Sequence, residues 1–285
     1  MTFTFTSIFP FFNKLKSLNM LHLLQLEWKK LQSYRLFQAL ILLYIVLLPL
    51  GFLIGKNIDL PEATGGTISF YTFPKVWDAL AYAGNWMSFF FLGFLGVLIV
   101  TNEFSFKTLR QNLITGMSRQ EYFAGKVIFM LAVSLFIAIY YSIVAVSLGL
   151  IFTDYIQFDR VFSHAYLVPR FFLMSFAYMN FAFMLGVLMR RMGIALFFYF
   201  IYTLLIEMII RYYFHLELLN DESSARNYYP LNTFEDLAPF PIPNFGPSDE
   251  FPNFFISAEE AIGFTIVYSL IFLAISYSIF KKKDL

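Results

Sequence analysis

Cysteine is absent from the 285 residues, which excludes a disulfide framework, a thiol nucleophile and a thiolate metal site. Charge is scarce too: Asp, Glu, Lys and Arg make up 14% of the chain, against ~25% in an ordinary soluble domain. The net charge of +1 gives no electrostatic ground for binding nucleic acid. Of three histidines, His22 and His164 stand alone, and His215 sits two residues from Glu217, a spacing that does not share a helical face. No metal site is expected from them. Nowhere does Gly-x-x-x-x-Gly-Lys-Ser/Thr occur, and the spacing from Gly116 to Lys126 is wrong for a phosphate loop. The chain is therefore not expected to be an enzyme, to hold a cofactor or to hydrolyse ATP by itself.

What fills the chain is apolar: 59% of residues are hydrophobic and 39 are Phe. Six runs approach or exceed the ~20 apolar residues needed to cross the hydrocarbon of a bilayer: 36–53, 79–100, 127–152, 171–189, 193–210 and 261–280. The fold class expected is an all-α membrane protein with one six-span domain over 36–283. Orientation follows from Lys and Arg, which accumulate on the cytoplasmic side. With the N-terminus inside, 14 basic residues are cytoplasmic and 6 are external. Both termini are then cytoplasmic.

Residues 20–35 read as a helix lying in the membrane interface. Met20, Leu24, Trp28 and Leu31 line one side, with His22, Gln25, Lys29 and Gln32 on the other; Leu23 and Leu26 depart from the stripe. Lys29 suits an anionic lipid headgroup. The tail before it, 1–19, lacks the basic start and small-residue cleavage site of a signal peptide. It is expected to be dispensable, because ordering it costs roughly 1–2 kcal/mol per residue of backbone entropy.

Residues 102–126 form the long polar interruption. Glu103 and Lys107 stand at i,i+4 in the favourable order. Phe106, Leu109 and Leu113 share one face while Lys107, Arg110 and Gln111 share another, which predicts a short amphipathic helix. Gly116 suits a helix end, and Ser118 with Glu121 makes a capping box that opens the next helix. Read from the residues alone, this is either a docking helix or a solvated loop helix.

The external segment 212–258 carries six of the eleven prolines among several Phe residues. Loops of such length are unusual unless functional or disordered; an outer lid and a short re-entrant pair are both compatible with it. An intramembrane charge is costly, and Glu207 lies about 21 Å along its span at ~1.5 Å per residue. Arg211, one turn on, is the expected partner in an ion pair. Asn85 and Asn180 are polar points that could bond between helices. Gly93, Gly96, Gly186 and Gly193 would permit close approach.

Glu103, Thr108, Arg110, Gly116, Ser118, Arg119 and Lys126, taken with the six spans, resemble the permease of ABC-2-type transporters. In that family the loop between the second and third spans is a coupling helix that sits on a separate ATPase subunit. The resemblance implies that Glu103, Phe106, Lys107, Leu109, Arg110 and Leu113 dock the ATPase, and that ATP and Mg are bound by that partner. It implies an N-terminal helix on the cytoplasmic surface, two ATPase copies, a second permease subunit (the same or different), and residence in the bacterial cytoplasmic membrane. The implied function is ATP-driven export of an amphiphilic, lipid-like or peptide cargo. Two alternatives stay open: a non-transporting anchor that passes ATPase work to an outer partner at 212–258, and a secondary transporter or channel. Family members often make short re-entrant helices before the last span, and the prolines here depart from that pattern.

Overall fold

A computed structural model describes residues 20–56, 67–105, 111, 114, 116–218, 224–241 and 255–282. Every regular element among the described residues is helical. Helix α1 (Met20–Gln32) precedes α2 (Arg35–Gly55). A 3-10 turn (Thr67–Tyr71) leads into α3 (Lys75–Ser105), followed by α4 (Arg119–Phe152), the short α5 (Phe158–Phe162) and α6 (Leu167–Met189). Next come α7 (Met192–His215), α8 (Pro230–Glu235) and α9 (Ala258–Lys282). Among the described residues, six helical stretches are long and apolar enough to cross a membrane.

Several helices outrun the apolar runs that mark them in the sequence. Helix α4 has 34 residues, or about 51 Å at ~1.5 Å per residue, well beyond the ~30 Å of hydrocarbon. It starts at Arg119 because the capping box forms there: Ser118 Oγ accepts from Glu121 N (3.2 Å), and Ser118 N donates to Glu121 Oε2 (2.7 Å). Gly116 has φ +102°, the left-handed geometry that favours glycine. The fourth span likewise begins before 171, since Pro169 falls in the first turn of α6 where its missing N–H costs nothing. A hydropathy count stops at a charge, whereas a helix stops only where its backbone bonds do.

Helix α6 is the centre of the bundle, touching α3, α4, α7 and α9, with its most extensive contact on α3. Glycines make that contact possible. A Cβ on Gly96 would lie 2.3 Å from the Met179 carbonyl oxygen, and one on Gly186 would lie 2.5 Å from Val100 Cγ1. Gly93 makes room for the Tyr199 ring, while a Cβ on Gly193 would meet nothing within 4 Å. Gly193 thus departs from the expectation of close packing.

Inter-helix hydrogen bonds supplement this packing, because a polar group in hydrocarbon has no water to turn to. Asn180 Nδ2 donates to Ser269 O on α9 (2.8 Å), and Tyr178 OH donates to Asn85 Oδ1 on α3 (2.8 Å). Within α3, residues Ser88–Leu92 widen into a π turn, a device that loosens the ordinary i→i−4 ladder. The Phe89 carbonyl of that turn takes the Tyr199 hydroxyl at 2.8 Å.

Candidate functional site

Leu23, Glu27 and Leu31 recur at i, i+4 and i+8 on α1 and are its buried residues. A carboxylate in such a stripe must find a cation or remain costly. Glu27 Oε2 lies 2.5 Å from Nζ of Lys126 on α4, and the same ammonium donates to Glu103 Oε1 at the end of α3. Lys30 completes the cluster, 2.9 Å from Glu27 Oε1 and 3.2 Å from Glu103 Oε1. Two cations and two anions balance. The Lys126 side chain is 1% exposed, those of Glu27 and Glu103 are 4% and 7%, and Lys30 is 29%. Both ammonium groups also lie over the Tyr122 ring, at 5.2 Å for Lys126 and 5.7 Å for Lys30.

This cluster ties α1, α3 and α4 together, and the start of α4 reaches further. Arg119 donates to the carbonyls of Phe280 (3.3 Å) and Lys281 (3.1 Å), giving partners to acceptors left open at the end of α9. Arg190, in left-handed geometry at the end of α6, holds its guanidinium 5.4 Å from the Phe104 ring centre. One end of the bundle therefore gathers α1, the ends of α3, α6 and α9, and the start of α4.

Glu103 belongs to the last turn of α3 and faces the interior, where the sequence placed it at the start of a separate surface helix paired with Lys107. Phe106, Lys107, Leu109, Arg110 and Leu113 lie outside the described residues. On α1 the stripe divides: Leu31 is buried and Leu24 partly so, whereas Met20 and Trp28 are about half exposed and Lys29 is exposed. The protein-facing side is the Leu23–Glu27–Leu31 line, rotated from the expected one. The reason is that α1 has two apolar surroundings, and the bundle takes the line that carries the carboxylate. A charge inside an apolar stripe was the available sequence signal for Glu27.

At the opposite end of the bundle Glu207 meets two backbone donors, Leu231 N (3.1 Å) and Asn232 N (2.8 Å), at the start of α8. Arg211 does not form the expected ion pair with it; its guanidinium turns to Asn227 Oδ1 at 3.5 Å. The carboxylate instead holds the segment that contains α8 onto α7. Asn232 Nδ2 bonds Asn227 O (2.7 Å) and Asp236 Oδ2 (3.0 Å), and Asp236 Oδ2 also accepts from Ile256 N (3.0 Å). Phe234 and Leu237 are buried beneath, with Phe234 edge-on to Tyr178. Residues 224–241 are therefore a packed cap over this end. Burial pushes the Asp236 carboxyl up to about 7, and raises Glu235 as well. A cavity of about 220 Å³ lies between α3, α6, α7 and α8, lined in part by Asn85, Glu207, Arg211, Asn232 and Glu235.

A search of curated proteins finds no match to the chain. A family model does match, described as ABC-2 family transporter protein, and it spans residues 21–285. That range takes in all but the first residue of α1, the buried ion cluster, all six spans and the cap. The chain therefore belongs to the ABC-2 transporter family and is a multi-pass membrane permease.

Proposed function

We propose that this permease is the membrane subunit of an ATP-driven exporter, coupled to a separate ATPase through the segment that follows α3. The observation that carries the coupling route is the burial of Lys126 between Glu27 and Glu103. It supports a mechanical reading: α1, the end of α3 and the start of α4 move as one body, because separating them would strand charges that water cannot reach. A push on the 106–113 segment by a closing ATPase would enter this body directly. It would pass along α3 to α6, where Gly96 and Gly186 leave no slack between backbones. The working assembly is two permeases and two ATPases, with ATP and Mg on the ATPases. In the cytoplasmic membrane, its cargo is amphiphilic, lipid-like or a peptide.

Charge reversal at Lys107 and Arg110 tests the docking surface. The double variant should insert normally, lose co-purification with the ATPase and fail to stimulate ATP hydrolysis. Undiminished co-purification and stimulation would refute the docking assignment.

A further inference from the structure

Beside the ion cluster, α1, α2 and α4 enclose an apolar groove of about 480 Å³, within the ~300–1,000 Å³ typical of ligand pockets. Its walls include Leu24, Trp28, Phe37, Ile41, Phe129 and Phe136. Trp28 stands edge-on to Phe37 with ring centres 6.1 Å apart, and Phe37 is 6.1 Å from Phe129. Along one edge run Gln25, Lys29 and Gln32, spaced i, i+4 and i+7 on a single face of α1. The two lysines of α1 are used differently. Lys30 is occupied by Glu27 and Glu103, while exposed Lys29 has no acidic partner among the described residues.

We infer that this groove is a binding site for one acyl chain of an anionic phospholipid, with the headgroup phosphate on Lys29 and the amides of Gln25 and Gln32 beside it. The trough matches a hydrocarbon chain, and Lys29, which has no acidic partner among the described residues, sits on its rim, where an anionic headgroup at the bilayer surface would lie. The ion cluster fixes α1 against α3 and α4, so Trp28 and Lys29 are held at the groove rather than drifting with a loose surface helix. The inference rests on the permease reading only for the leaflet, which is the cytoplasmic one.

Trp28 provides the readout. The full chain carrying Trp86→Phe is reconstituted in vesicles, where Trp77 is buried and common to all samples. Quenching by phosphatidylglycerol brominated on one acyl chain is compared with quenching by brominated phosphatidylcholine. One lysine near an anionic headgroup should give about a fivefold preference for the anionic lipid. Lys29→Gln should bring the two lipids together, and Ala132→Phe, which fills the groove and leaves Lys29 in place, should weaken quenching by both. Equal quenching in the parent, or a preference that survives Lys29→Gln, would overturn the inference. Quenching that appears only after removal of residues 2–19 would put the chain's own tail in the groove and overturn it too. No ATPase is present in this assay, so its failure is separate from failure of the docking test.

Discussion

Lys126→Met removes one ammonium and keeps nearly the same shape, so its effect isolates the charge. In the native protein that ammonium lies against both Glu27 and Glu103. After the change two carboxylates, 4% and 7% exposed, face each other with only Lys30 between them. Removing one member of a buried pair typically costs about 3–5 kcal/mol, because the other charge is left uncompensated. Lys30 can still reach both acids, which argues for the lower part of that range. At roughly 2–4 °C per kcal/mol for chains of about this size, the thermal midpoint in detergent should fall by about 10 °C. The assay is loss of the monodisperse peak on heating, read on the purified chain. The decisive companion is Glu27→Gln/Glu103→Gln/Lys126→Met, which removes the stranded anions and should recover most of the loss. A single Lys126→Met variant that melts with the parent would refute the claim that this cluster joins α1, α3 and α4. So would a triple variant no better than the single.

Gly96→Ala should cost about 1–3 kcal/mol through forced separation of α3 and α6, since its Cβ would fall 2.3 Å from the Met179 carbonyl oxygen. Gly193→Ala, with open space around it, should leave the melting curve within ±0.5 kcal/mol of the parent. Protection of residues 230–238 from hydrogen exchange, corrected for the intrinsic rate, should fall as pH rises through about 7. Asp236 is raised to about 7 in the folded cap against ~3.9 unfolded. The folded state therefore holds the extra proton between these values, and stability declines across that window as pH increases. Asp236→Asn should keep the acceptor for Ile256 N and flatten the dependence; an unchanged pH profile would show that another group controls it. Topology reporters placed after Lys283 and within 116–118 should read cytoplasmic, and one within 222–226 external. A cytoplasmic signal at the last site would undo the six-span arrangement.

Local rules and bilayer thickness made much of this protein legible in its residues. A span must be a long apolar run because hydrocarbon accepts nothing else, so all six could be read. The Ser118–Glu121 capping box and the turn at Gly116 depend on neighbours within three residues, and they form as the spacing requires. Tertiary structure decided what depends on residues far apart in the chain. Lys126 finds Glu27 across 99 positions and Glu103 across 23, and no periodicity in one helix reports on its partner. Glu207 looked like half of an ion pair because Arg211 stands one turn away, yet its partners are backbone N–H groups 24 and 25 residues on. Backbone donors carry no signature in residue type. Gly96 and Gly193 are identical letters in apolar runs, and only the approach of Met179 makes one indispensable to packing. The sequence by itself determined that this chain spans a membrane six times. Which charges meet in its interior, and which face of α1 rests on the bundle, was decided by how those spans pack.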